Sequence, residues 1–80
     1  MSILGKDVVK LSKLPAGKKA IIASHEETDF RLTLMEMGCI PGEIVFVEQR
    51  APLGDPISIR VAGYSLSLRI NEADQIIVEL

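Results

Sequence analysis

From Ile57 to Arg69 the chain alternates in two runs whose phase shifts by one residue at Gly63. Ile57, Ile59 and Val61 take turns with Ser58, Arg60 and Ala62, Gly63 interrupts, and Tyr64, Leu66 and Leu68 then take turns with Ser65, Ser67 and Arg69. Successive side chains leave a β-strand on opposite faces, so period two with apolar residues on one side marks a half-buried strand. A glycine between two such runs turns the chain back on itself. The rest of the sequence is punctuated in the same way. Pro15-Ala16-Gly17 precedes the apolar, β-compatible run Lys19 to Ser24. Pro41-Gly42 precedes Glu43 to Arg50, where Val45 and Val47 alternate with Ile44 and Phe46. Pro52 to Pro56 interrupts again, Asn71 can cap a single turn through Asp74, and Gln75 to Leu80 closes as a last strand.

One segment breaks the β pattern. Phe30, Leu34 and Met37 fall at helical spacing, Thr28 or Asp29 is placed to cap the start, and Gly38 stands where a left-handed glycine ends a helix. The spacing therefore predicts five short strands and one helix of about two turns. Turn signals recur at the roughly 8–12-residue intervals of small all-β domains, and closing the sheet removes exposed edges. The fold expected is mostly β: a small SH3-like antiparallel barrel of about five strands, with one short α-helix inserted after the first. It spans residues 11–80. Residues 1–10 show little periodicity and read as a weakly ordered N-terminal arm.

Size and charge exclude whole classes of function. Eighty residues and 8.7 kDa make one domain. Such a chain buries roughly three fifths of its unfolded surface, enough for one small core without staples. A nucleotide-binding α/β domain or a helical repeat array does not fit. Nine Lys and Arg against eleven Asp and Glu give a net charge of −2, and the cations are scattered. With Phe30, Phe46 and Tyr64 as the aromatic residues and no Trp, neither the basic footprint nor the stacking platform of a nucleic-acid binder is present. No signal peptide, lipid anchor or run long enough to span a bilayer is recognisable. The chain reads as soluble and cytoplasmic, with no nucleic-acid partner and no direct membrane insertion.

Chemistry-bearing residues are few. His25, Glu26, Glu27 and Asp29 form the one cluster of metal-ligand types. His25 and Asp29 are weak candidates to hold a divalent ion, against a plain reading as a solvated loop whose Asp caps the helix. One His and no Cys pair do not make a closed structural metal site. Cys39, the one cysteine, lies between Gly38 and Ile40-Pro41 with no base beside it, and reads as a small buried hydrophobe. Neither Gly5-Lys6 nor Gly17-Lys18 belongs to a phosphate-cradling loop, and one His offers little to a hydrolase. Met35 and Met37 read as packing beside Leu34. An enzyme is not expected, and neither is a resident cofactor.

The residues left over are informative. If Ala20, Ile22, Val45 and Val47 point inward, then Ile21, Ile44 and Phe46 point out, and Leu32 lies off the helix's apolar stripe. These are either isolated surface hydrophobes or a contiguous patch for a partner or a second copy. Gly54, in the Pro52–Pro56 loop, is placed to take a positive φ.

Met37-Gly-Cys-Ile-Pro-Gly42, Arg50-Ala-Pro-Leu-Gly-Asp-Pro56, Val61-Ala-Gly-Tyr-Ser-Leu-Ser-Leu-Arg69 and Glu72-Ala73, in this order and spacing, closely resemble the FeoA family. These are small cytosolic ferrous iron transport A proteins of bacteria, and the resemblance runs from about Leu11 to the C-terminus. It implies an SH3-like barrel. It also implies a role in Fe(II) uptake beside FeoB, a membrane permease with a cytosolic G-protein domain, whose transport or GTPase activity the small protein would modulate by docking. Through such a partner the chain would lie near the inner membrane. Candidate contacts are Ile21, Leu32, Ile44 and Phe46, together with the loop residues Pro52, Leu53, Gly54, Asp55 and Pro56. The alternative function is an Fe(II) chaperone or sensor that binds the metal itself. Thr33 stands where the family commonly carries Arg or Lys.

Overall fold

A computed structural model describes residues 7–26 and 29–80. Its strands are β1 (Val8–Lys10), β2 (Lys19–His25), β3 (Ile44–Arg50), β4 (Ile57–Val61), β5 (Tyr64–Leu68) and β6 (Ile76–Glu79). Two short helices, α1 (Arg31–Glu36) and α2 (Ile70–Ala73), and a 3-10 turn at Leu11–Lys13 complete the chain. The strands form one antiparallel sheet in the order β1-β6-β2-β3-β4-β5.

Inner residues from β2 to β6 join a single core with Leu11, Leu14, Leu34, Cys39 and Ala73. One sheet can enclose one core on one face when it coils on itself. Two register shifts assist the coiling: one in β2 between Ile22 and Ser24 opposite β6, the other in β3 between Val47 and Gln49 opposite β4. Extra residues of this kind bend a strand and increase its twist. The sheet ends at β1 and β5, so the barrel is partly open instead of closed by a ladder.

The alternation read from the sequence holds in β2, β3 and β4, whereas in β5 Leu68 is buried and Tyr64, on the same phase, is 66% exposed. Ala20, Ile22, Val45, Val47, Ile57, Ile59 and Val61 are all buried. Three details differ. Val8–Lys10, placed by the sequence in a weakly ordered arm, is a sixth strand, because its three residues pair with Lys10↔Ile77, Val9↔Val78 and Val8↔Glu79 at the far end of the chain. The remainder of the expected arm, residues 1–6, lies outside the described residues, as does Thr28.

The second difference is at the helix start. The N-cap position of α1 is Phe30, one residue after Asp29, so Asp29 does not occupy the capping position expected of it. Phe30 accordingly sits at the rim, 39% exposed, while Leu34 is buried and Met37 packs on the core. The helix does end as expected. Gly38 adopts φ +104°, with the Cys39 N–H bonded to the Leu34 carbonyl, and a side chain at 38 would come within 3.2 Å of the Ala62 Cβ.

The third difference is at α2. Its N-cap position is Arg69, not Asn71, and the Glu72 carboxylate accepts the Arg69 N–H at 2.8 Å.

Candidate functional site

The outer face of the sheet is apolar where it should be wet. Val8, Glu79, Ile21 and Ile44 stand in register across β1, β6, β2 and β3. Ile21 is 45% exposed and Ile44 57%, while their strand neighbours Ala20, Ile22 and Val45 are buried. Next along β3, Phe46 (36% exposed) sits between Lys19 on β2 and Arg60 on β4. Arg60 is held by Glu48, whose carboxylate oxygen accepts from Nε at 3.2 Å and from Nη2 at 3.0 Å. Lys19, Ala20, Ile21, Ile44, Glu79 and Leu80 line a groove on this face. Contiguous exposed hydrophobics of this kind mark interaction surfaces.

Strand pairing thus brings Ile21, Ile44 and Phe46 together, as period two implies. It also adds Val8 and Leu80, both exposed, which sequence reasoning passed over. Val8 belongs to a three-residue strand whose only signal was two adjacent valines.

Leu32 is exposed on α1, but it lines a different cleft, with Asp29, Arg31 and Met35. The loop residues are also apart from the groove. β3 starts at the patch with Ile44 and ends at Arg50, opposite Ile57, where the loop begins. The four residue steps of strand from Phe46 to Arg50 correspond to about 13 Å.

That loop is internally braced. The Gly54 N–H bonds to the Ala51 carbonyl at 2.7 Å and the Ala51 N–H to the Pro56 carbonyl at 3.0 Å. Gly54 has φ +88°, the positive value its sequence position suggested, and the Asp55–Pro56 peptide is cis. At the tip Leu53 is 96% exposed. Below the loop, Arg50 Nη2 donates to the Ser12 carbonyl (2.5 Å) and the Leu14 carbonyl (2.8 Å), and the Ser12 hydroxyl donates to Asp74.

Among the described residues no group of three His, Cys, Asp or Glu side chains converges. His25 Nε2 faces the Cys39 carbonyl at 2.5 Å, so that nitrogen carries the proton and donates it; Nδ1 is buried with no hydrogen-bond partner among the described residues. Cys39 is itself fully buried, and desolvation pushes its thiol up to about 11. A thiol so protonated is a packing residue, in line with its reading from sequence. Glu27 lies outside the described residues.

The FeoA domain model matches residues 9–80. A Fe(2+) transport protein A/Fe(2+) transporter FeoB fusion protein from Porphyromonas gingivalis is 41% identical over 73 residues, which are 90% of this chain and 9% of the fusion protein. The chain therefore spans about a tenth of that curated relative. The NMR structure of a FeoA-like protein from Clostridium acetobutylicum superposes with a TM-score of 0.87 at 38% identity, covering 91% of this chain and 86% of that one. The crystal structure of Stenotrophomonas maltophilia FeoA complexed with zinc, described as a prokaryotic SH3 domain protein, gives 0.78 at 29% identity, with 88% of each chain covered. Six antiparallel strands on one core and these likenesses make the fold an SH3-like barrel. Among the described residues no helix is long and apolar enough to cross a membrane.

Proposed function

This chain belongs to the FeoA family, and on that premise we propose that it is a non-enzymatic accessory protein of ferrous iron uptake that docks on the cytosolic part of a FeoB-like permease and modulates its transport or GTPase activity. The observation that carries this reading is the outward apolar face of β2 and β3. Ile21, Ile44 and Phe46 cost stability and solubility where they stand unless something covers them, because exposed hydrophobic strands invite association. Phe46 supplies the aromatic anchor that protein interfaces commonly concentrate at their centre. Two relatives support the choice of partner. In the Porphyromonas protein the A and B components are fused in one polypeptide, and the Stenotrophomonas protein is described as a candidate ferrous iron transport activating factor.

The second reading, direct handling of Fe(II), draws on the zinc complex of the Stenotrophomonas relative. His25 would be its main ligand here. Against it stands the use of the Nε2 proton on the Cys39 carbonyl and the enclosure of Nδ1.

A pull-down of the cytosolic part of the FeoB-like permease, with and without guanine nucleotide, tests the docking reading. Retention on this chain is the expected result. Failure to retain it in both nucleotide states contradicts the reading.

A further inference from the structure

β5 is a sheet edge without the protection that edges normally carry. Among the described residues it pairs with β4 alone, in unbroken register from Val61↔Tyr64 to Ile57↔Leu68. The hairpin turn, Ala62 (φ 53°) and Gly63 (φ 82°), is a two-residue loop of the I′ kind, which closes on a hydrogen-bonded pair. Hydrogen-bonded and non-hydrogen-bonded pairs then alternate. Tyr64, Leu66 and Leu68 therefore direct their N–H and C=O groups to β4, and Ser65 and Ser67 direct theirs away from the sheet. No described strand takes them up. The segment Tyr64-Ser-Leu-Ser-Leu68 has no charge, no proline and no bulge. Natural edges are blunted by just these devices. The opposite edge shows the contrast: β1 has three residues and runs between Asp7 and Lys10.

Beside this bare edge lies a groove lined by Glu36, Met37, Gly38, Tyr64 and Leu66. Tyr64 is 66% exposed and Leu66 half-buried.

We propose that β5 pairs antiparallel with β5 of a second copy of this chain, about a two-fold axis at Leu66. The backbone selects that register. With Leu66 opposite Leu66 of the second copy as a non-hydrogen-bonded pair, Ser65 faces Ser67 and Ser67 faces Ser65. All four outward groups of each strand's two serines, N–H and C=O, are then satisfied. The close Leu66 pair and the two Tyr64 side chains enter the groove beside α1. Charge agrees with the same register. Arg69 follows one end of β5 and Glu36 borders the groove at the other, so antiparallel pairing brings each copy's Arg69 toward the second copy's Glu36. The Ile21–Ile44–Phe46 face is on other strands and stays open in the dimer. This inference goes beyond the docking reading and does not depend on it.

Sedimentation of the full chain over a concentration series tests the proposal, with a particle of twice the 8.7 kDa chain mass expected at high concentration. Ser67→Pro removes one outward N–H without touching the β4 ladder, and edge prolines of this kind are tolerated. It should raise the dimer dissociation constant at least about tenfold, one lost hydrogen bond at each of two symmetric places. Register is read separately from cysteine variants, which keep the test valid if the proline variant misfolds. Leu66→Cys should cross-link to a covalent dimer on mild oxidation, since a two-fold-related pair at this spacing meets disulfide geometry, and Ser65→Cys should not. A chain that stays monomeric throughout, a ladder of larger species, or equal cross-linking of the two variants would each overturn it.

Discussion

The carboxylate of Asp55 accepts the backbone N–H of Ile70 at 3.1 Å. A residue of the β3–β4 loop thereby caps the helix α2, fifteen positions further along, at an end where the first N–H groups have no partner within the helix. Asp55→Ala should lower stability by about 0.5–2 kcal/mol, as for other lost helix caps, and Asp55→Asn, which keeps an acceptor oxygen, should recover much of it. Chemical denaturation of the two variants measures both effects. Equal losses would show that the charge, not the acceptor, matters.

Gly54 holds the same loop in the left-handed region at φ +88°, with open space where a Cβ would stand. Steric contact with neighbours therefore adds nothing, and the cost of Gly54→Val is backbone strain alone, about 1–3 kcal/mol. An unchanged thermal midpoint would refute this.

The difference between these two residues shows what sequence can carry. Gly54 was legible because a Pro-Leu-Gly turn has local conformational rules. The Asp55 cap was not, because Ile70 comes beside the loop only once Ile57 pairs with Leu68 across β4 and β5. The same division applies elsewhere. Period two placed Ile22, Val45 and Val47 inside and Ile21, Ile44 and Phe46 outside, and the structure agrees. Val8–Lys10 was missed because a three-residue strand has too few positions to show a period, and its ladder lies at Ile77–Glu79. Phe30 falls at helical spacing with the buried Leu34 yet lies at the rim, because spacing does not say where a helix starts. Leu32, a candidate contact beside Ile21, Ile44 and Phe46 in the sequence, lines a different cleft, a matter of how α1 seats on the barrel that no local pattern encodes.

Cys39 sets an alkaline limit. Burial holds its thiol near 11 against 9.0 for the free group, so the unfolded chain loses this proton first as pH rises. The folded state's advantage is complete below pH 9 and declines between pH 9 and 11, by about 2–3 kcal/mol if the whole shift is expressed. Denaturation at several pH values should show Cys39→Ala, less stable at neutral pH, losing less over this interval than the natural chain. Parallel curves would mean that the thiol does not contribute.

Folding should not require metal. The core is built from Leu, Ile and Val side chains on all sides, and coupling of metal binding to folding needs a dense ligand set. Excess chelator is expected to leave the thermal midpoint unchanged. A stoichiometric Fe(II) or Zn(II) site of micromolar or tighter affinity, abolished by His25→Ala in calorimetry, would favour the metal-handling function over docking.

The docking surface itself is tested most directly by titrating the natural chain and Phe46→Ala against the cytosolic part of the FeoB-like permease, with the stability of both measured in parallel. Phe46 is partly exposed on the outer face, so truncation should leave stability within about 1 kcal/mol while weakening binding by about 1–3 kcal/mol, the loss typical of an interface anchor. Equal binding by the two chains at equal stability would contradict the account and move the contact to another face of the barrel.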